Sequence, residues 1–455
     1  MNPLVRSQNL CFPLSSLPDD VVLYLAQYLS PREIGIMARL NRHFRKIFNS
    51  PHLWRYINLK IRLHDRKIAS EAIEILKVRG IRNLEFENMV HSYLKPYETK
   101  TVQPLLCPHL EKLTFKVTTQ FTLEALYNAA SQGKLNLRRL AFGTVDIKLQ
   151  SRIKRTFEEV LKSLPSIKEV SFGRVDVNDL AGSNPLADDV QRALCCSGKL
   201  TSISLVCQES VEMSWLKAVV SSNPHLRKLC LSLISLTDYG EAGELHDVEQ
   251  GVLSSLETFE LHVRDTYHNS RRLTNHILDW AFPSNKVPYE NLTSLDVTCP
   301  HNPIMFTQLL KFPALKRLNL TGSFVPKEQS LWDFPNFQTL EWLELNSCRG
   351  ISGDQLHFLS QKVGKTLCYL GLAQIPMITN NNLRELAIMF PVLRTLDLSA
   401  CLRITDALLV EWYIKHNKNE WPKLRKLILK GCEEISVDVV NSVRLKTRNQ
   451  LLVDL

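Results

Sequence analysis

Three side-chain chemistries could operate in this chain, and each can be checked against its spacing. Gly364-Lys365-Thr366 has the ending of a phosphate-binding loop, but that loop needs a glycine five residues before Gly364, and Leu359 stands there. No His-Glu-x-x-His, Gly-x-Ser-x-Gly or Gly-x-Gly-x-x-Gly occurs. The eleven cysteines form no Cys-x-x-Cys pair, and the thirteen histidines are dispersed. His109 and His225 each follow a proline and read as structural. A catalytic cysteine needs a base nearby, and nothing in the order of residues supplies one. The chain is therefore expected to be non-catalytic, with no metal and no cofactor.

What remains is recognition chemistry, and the elements that would carry it repeat. Leu393-Arg394-Thr395-Leu396-Asp397-Leu398 is followed at a distance by Leu424-Arg425-Lys426-Leu427-Ile428-Leu429. Residues two apart on a strand share a face, so Leu396 and Leu398 point one way while Thr395 and Asp397 point the other. A turn with Cys, Asn or Ser follows, then a helical stretch. Thr379 is placed to cap one such helix, with Leu383, Leu386, Ala387 and Phe390 at spacings of three and four and Pro391 ending it.

The phrase recurs from Trp54 to Leu424 in about 14 units of roughly 28 residues. Pro108, Pro165, Pro224, Pro313, Pro391 and Pro422 each precede the first apolar position of a unit by two residues, which fixes the phase independently. One unit has an apolar face and nothing to bury it against, so the units must stack. The pattern resembles leucine-rich repeats. From about residue 315 it resembles their cysteine-containing class, as in Cys348 to Ser352, Cys401 to Thr405 and Cys432 to Ser436. The fold this implies is an α/β solenoid, a horseshoe with a parallel concave sheet and outer helices, over residues 54–455.

Residues 15–59 do not follow the phrase. Leu17-Pro18-Asp19-Asp20 opens a helix, with Val21, Val22, Leu25 and Leu29 on its apolar side. Ser30, Pro31 and Glu33 form a capping box for a second helix, and a third runs on through Phe44 and Phe48 to Leu53-Trp54. The order Leu17, Pro18, Asp20, Val21, Leu25, Leu29, Pro31, Ile34, Ala38, Leu40, Leu53, Trp54 resembles an F-box, a small three-helix domain. Asp20 stands where the family more often has Glu, and Phe44 where Trp is frequent. Trp54-x-x-Ile57-x-Leu59 also fits the repeat phrase, so the helices should run into the solenoid without a linker. Residues 1–14, with Pro3 and Pro13, are expected to be a disordered lead.

The F-box resemblance implies docking on the Skp adaptor of a cullin-RING ubiquitin ligase, with Leu17, Pro18, Val21, Leu25, Leu29, Ile34 and Leu40 as candidates for the adaptor face. The whole chain then resembles an F-box and leucine-rich-repeat protein, a substrate-recognition subunit that holds a target protein on its repeats for ubiquitination and proteasomal degradation. The target face is expected on the most regular units, through Arg317, Trp342, Glu344, Tyr369, Lys426 and Lys430. Trp342 and Tyr369 hold equivalent places on neighbouring strands, an aromatic pair beside cations.

Composition bounds the partners. The chain has 455 residues, 44% of them apolar, and a formal net charge of +10. That balance admits a second reading, a repeat scaffold outside any ligase that binds acidic proteins or nucleic acid. The basic residues are scattered, however, and nucleic acid is not the expected partner. Without a disulfide pattern, a signal-like start or an apolar run of roughly 18 residues, the chain is expected in the cytoplasm or nucleus, off the membrane. Longer units at 178–185, 238–250 and 256–292 are expected to carry surface loops.

Overall fold

The computed structural model describes residues 17–62, 79–87, 102, 105–145, 155–175, 185–207, 210–233, 235–237, 253, 255–263, 270–283, 289–299, 309–324, 335, 337–383, 386–415, 423–448 and 450–455. The chain divides into two compact units, Met1–Ser197 and Gly198–Leu455.

The first unit begins with helices α1 (Asp19–Ala26), α2 (Pro31–Leu40), α3 (Arg42–Phe48) and a single turn, α4 (Pro51–Trp54). Local chemistry sets each start. Ser30 Oγ accepts from the Glu33 N–H and Glu33 Oε2 accepts from the Ser30 N–H, at 3.3 and 2.6 Å. Asn41 Oδ1 caps α3 through the Phe44 N–H at 2.7 Å. Val22, Ala26, Ile34, Ala38, Phe44, Ile47, Phe48, Leu53 and Trp54 are buried. The fourth turn is an addition to the three helices expected, and Ser50 and Pro51 explain it as cap and first residue.

Strands β1 (Asn58–Arg62), β2 (Asn83–Glu87), β3 (Lys112–Thr118), β4 (Arg139–Val145) and β5 (Glu169–Val175) follow as a parallel sheet in chain order. Helices α5 (Gln120–Ser131), α6 (Phe157–Lys162) and α7 (Pro185–Ser197) alternate with the later strands. The phrase dictates the register: Leu59, Leu84, Leu113, Leu140 and Val170 are successive partners. Two residues on, Phe86, Phe115, Phe142 and Phe172 replace leucine and pack ring against ring, Phe86 on Phe115 at 5.3 Å and Phe142 on Phe172 at 5.1 Å. The first unit of the phrase departs from expectation by two residues. Leu59 and Ile61 pair with Leu84 and Phe86. Trp54 and Ile57, which fit the spacing, lie before β1, and Trp54 closes the last helical turn instead.

The second unit continues the pattern with β6 (Ser202–Cys207), β8 (Lys228–Leu233), β10 (Thr258–Val263), β11 (Ser294–Thr298), β12 (Arg317–Asn319), β13 (Trp342–Glu344), β14 (Tyr369–Gly371), β15 (Thr395–Asp397), β16 (Lys426–Ile428) and β17 (Leu452–Asp454), all parallel and in that order. Short β7 (Ser210–Glu212) and β9 (Ser235–Thr237) pair separately. Helices α8 (Met213–Ser221), α9 (Ser270–Ala281), α10 (Gly353–Val363), α11 (Asn380–Leu383), α12 (Leu386–Met389), α13 (Asp406–Leu409) and α14 (Val437–Lys446) intervene, and a π-helical stretch, Val410–Lys415, follows α13. Each unit of the chain is thus an α/β solenoid.

Neighbouring repeats are bonded through their turns. Cys348, Cys401 and Cys432 donate their thiols to the carbonyls of Leu320, Leu372 and Leu398 at 3.1–3.2 Å. Helix starts are completed by a neighbouring repeat, the next one for Asp189 and the preceding one for Asn380 and Asp406. Asp189 on α7 accepts the Phe157 N–H at 2.8 Å, Asn380 accepts the Thr405 N–H at 3.1 Å, and Asp406 accepts the Ser436 N–H at 2.8 Å. The sheet's last edge is guarded: Arg444 Nη2 donates to the Val453 carbonyl at 2.6 Å.

The expected disordered lead, residues 1–14, lies outside the described residues. So do the expected loops at 178–184, 238–250, 264–269 and 284–285. Pro185 and Ser270–Arg272 open helices.

Candidate functional site

Two surfaces carry the candidate residues. The first is on the helices of the N-terminal region. Their core is already filled, yet Val21, Tyr24, Leu25, Tyr28, Ile36 and Leu40 remain exposed, Tyr28 at 72% and Leu40 at 60%. Single exposed apolar residues are ordinary, but this many across α1, the turn after it and α2 is a surface with an unmet burial demand. Of the expected adaptor residues, Pro18, Val21, Leu25 and Leu40 are exposed and Leu17 and Leu29 are half-buried. Ile34 is corrected. It is 1% exposed and holds the helices to one another. Helical spacing gave Ile34 no mark to distinguish it from Ile36, two residues on. Tyr24, Tyr28 and Ile36, exposed beside them, were not among the expected residues. The i, i+4 pair of tyrosines was the available signal, and their rings meet edge to face at 5.5 Å with the Tyr28 hydroxyl donating to Tyr24 at 3.0 Å.

The second surface is the polar face of the strands in the second unit. Register places Thr258, Ser294, Arg317, Trp342, Tyr369, Thr395, Lys426 and Leu452 in one row. Glu260, Asp296, Asn319, Glu344, Gly371, Asp397, Ile428 and Asp454 form the next row. Strands lie about 4.8 Å apart, so side chains in a row touch. Arg317 lies over the Trp342 ring, 4.5 Å from its centroid. Trp342 lies flat on Tyr369, centroids 3.5 Å apart and planes 4° off parallel. Glu344 joins the group, its ionised form favoured by the neighbouring Tyr369 hydroxyl and Trp342 indole. Gly371 makes this possible, because a Cβ there would stand 3.1 Å from the Glu344 Cγ and 2.8 Å from the Asn346 Oδ1.

Burial raises the Glu344 carboxyl above its ordinary range, with Asp296 adding to the shift and the two ring donors opposing it. Burial and the charges of Glu344 and Asp397 raise the Tyr369 phenol in turn. Tyr369 therefore stays protonated as a donor. Two other charges of this face are matched, Glu260 to Lys228 at 2.7 Å and Asp454 to Lys430 at 3.2 Å. The expected target residues thus fall into two sets. Arg317, Trp342, Glu344 and Tyr369 form one contiguous platform. Lys426 stands two strands from Tyr369, about 10 Å away, and Lys430 is committed to Asp454.

Among the described residues no group of three His, Cys, Asp or Glu side chains could hold a metal ion. No described helix is long and apolar enough to cross a membrane.

No curated protein matches the chain. Among solved structures it is similar to a chain of the Rad7–Elc1 complex from yeast, at 16% identity and a TM-score of 0.49, covering 74% of this chain and 79% of that one. It is also similar to a chain of the mouse RP105/MD-1 complex, at 14% identity and a TM-score of 0.36, covering 82% and 63%. Residues 14–60 match the F-box-like family model, and the helical segment is an F-box-like domain.

Proposed function

We propose that this chain is the substrate-recognition subunit of a Skp-cullin-F-box ubiquitin ligase. The observation that carries the reading is the exposed apolar side of an F-box-like domain whose own core is already complete. In this reading Leu17, Pro18, Val21, Leu25, Leu29 and Leu40, joined by Tyr24, Tyr28 and Ile36, receive helices of the Skp adaptor. The adaptor in turn links the chain to a cullin. The strands and turns behave as leucine-rich repeats, and the platform of Arg317, Trp342, Glu344 and Tyr369 holds a protein target. The chain supplies binding and no chemistry of its own. A target lysine held near a ubiquitin thioester on another subunit gains effective concentration, which is sufficient for acceleration. The site of action is the cytoplasm or nucleus, followed by proteasomal degradation of the target.

Co-purification tests the reading. The wild-type chain should bring down the Skp adaptor and a cullin, and Leu17→Ala combined with Pro18→Ala should lose both while the chain stays folded. Adaptor binding that survives the double substitution, or is absent from wild type, rejects it.

A further inference from the structure

The aromatic platform has one open side. Along its row Arg317 lies over the Trp342 ring, and that ring lies flat on Tyr369. The next member of the row is Thr395, and the one after it is Lys426. Threonine reaches only the base of a tyrosine ring, so its strand leaves the second face of Tyr369 uncovered. Among the described residues Trp342 is the one ring against Tyr369, and no cation lies over it.

Two carboxylates border the same gap. Glu344 leans toward it, with its Cγ 3.1 Å from where a Cβ on Gly371 would stand. Asp397 lies on β15, in register with Gly371 and two residues after Thr395. Both charges raise the Tyr369 phenol, so both act at the ring. Asp397 Oδ1 accepts the Ser399 N–H at 2.9 Å and the Ser399 hydroxyl at 2.6 Å. Those donors are neutral and leave the charge of the carboxylate unmatched. Among the described residues neither Glu344 nor Asp397 has a cation within ion-pair distance, whereas Glu260 and Asp454 in the same row do.

The face of an aromatic ring is negative, and here two carboxylates of the same sign stand beside it. Such a gap attracts a cation and repels an anion. Lys426 bounds the far side and opposes a cation there, one charge against two. Tyr369 and Lys426 stand on strands about 10 Å apart, which leaves room for one flat group against the ring. The net charge of +10 gives no general attraction for basic proteins, so the preference belongs to this gap.

We propose that the target held on this face is a protein segment carrying an arginine, whose guanidinium stacks on the open face of Tyr369 and pairs with Asp397 and Glu344. This rests on the platform being the target-binding face and adds the chemistry of what it holds. A guanidinium suits the gap better than an ammonium. It is planar, it stacks on aromatic rings, and its paired N–H donors match carboxylate oxygens.

Panning a display library of random peptides on the purified full chain tests the proposal. Recovered peptides that no longer bind Trp342→Ala should share an arginine, and replacing that arginine by alanine should weaken them about tenfold. Asp397→Asn keeps an acceptor for Ser399 and removes the charge. It should weaken the same peptides about tenfold, while Lys426→Gln should strengthen them. Asp454→Asn, which alters a carboxylate already paired to Lys430, should leave them unchanged. The proposal is overturned if the Trp342-dependent peptides lack arginine, if Asp397→Asn binds them as tightly as wild type, if Lys426→Gln weakens them, or if Asp454→Asn weakens them as much as Asp397→Asn does. A library with no Trp342-dependent peptide overturns both the proposal and the platform as the target face, and leaves adaptor capture by the N-terminal helices standing on its own test.

Discussion

The Arg79 guanidinium lies over the Trp54 indole, 4.3 Å from the ring centroid, while its Nη2 donates to Asn49 Oδ1 at 2.6 Å. Trp54 is held in turn, its Nε1 donating to the Phe48 carbonyl at 2.8 Å. A residue just before β2 thus clamps the end of the F-box-like helices onto the first repeat. Arg79→Met keeps most of the stem and removes both interactions. It should cost about 1–3 kcal/mol, the sum of a partly buried cation–π contact and a charged hydrogen bond. Chemical denaturation of the variant checks this. No change would mean that the helices are anchored by apolar packing alone.

The exposed and buried sides of the F-box-like domain should separate in mutants. Val21→Asp and Tyr28→Asp place charge where burial is wanted, and should abolish adaptor capture in a pull-down with little change in melting temperature. Ile34→Ala should do the reverse. It leaves a cavity in the core and should lower stability by about 2–4 kcal/mol, measured by denaturation, while adaptor binding persists below the transition.

The stacked rings of the strand face should matter to target binding more than to folding. Trp342→Ala exposes one face of Tyr369 and frees Arg317. The ring contact itself is worth about 0.5–1.5 kcal/mol beyond area burial, so the loss of stability should be modest. A target enriched by the wild-type chain in quantitative proteomics should fall about tenfold or more if the platform is a hot spot. Lys430→Ala, which removes a cation already paired to Asp454, should leave that enrichment unchanged.

Asp189 should make stability depend on pH in a direction opposite to most carboxylates. Burial raises its carboxyl, and the amides of Phe157 and Glu158 only partly offset that. A carboxyl raised in the folded state favours folding while protonated. Its contribution is present below the ordinary carboxylate range and is lost as pH rises through the raised value. Asp189→Asn keeps an acceptor for the α6 amides without the charge. Relative to wild type it should therefore gain stability as pH rises from mildly acidic to neutral, in denaturation curves taken across that interval.

Thiol reactivity should sort the cysteines. Burial pushes Cys348 up to about 12 and Cys401 up to about 11, so neither forms thiolate near neutral pH. Cys196 is exposed, and burial of its sulfur raises it as well. Under native conditions iodoacetamide should modify Cys196 slowly and leave Cys348 and Cys401 untouched until the chain unfolds, as read by peptide mass spectrometry.

The strands were legible because burial on one face imposes a period of two, and leucines at 396 and 398, 427 and 429 keep it without exception. The prolines fixed the phase. At the junction the same rule misled, since Trp54, Ile57 and Leu59 satisfy the spacing while Trp54 serves the helices and only Leu59 serves the sheet. Spacing states which residues share a face, not which neighbour covers it. Ile34 was assigned to a partner for the same reason, when a core of its own domain had the first claim. The platform was legible as a Trp–Tyr adjacency. The role of Glu344 in the adjoining row was not, because it depends on an absent side chain at Gly371.

The hydrogen bonds that finish several helix starts with a side chain from a neighbouring repeat, the following one for Asp189 and the preceding one for Asn380 and Asp406, have a consequence for how such a chain can change length. A repeat carries part of its neighbour's terminus. Deleting one whole repeat joins a helix to a partner that was shaped for another, and leaves backbone amides without acceptors at the scar. Insertions between strand and helix disturb no such bond. Growth and variation should therefore be confined to the loops, with the number of repeats inherited as a block.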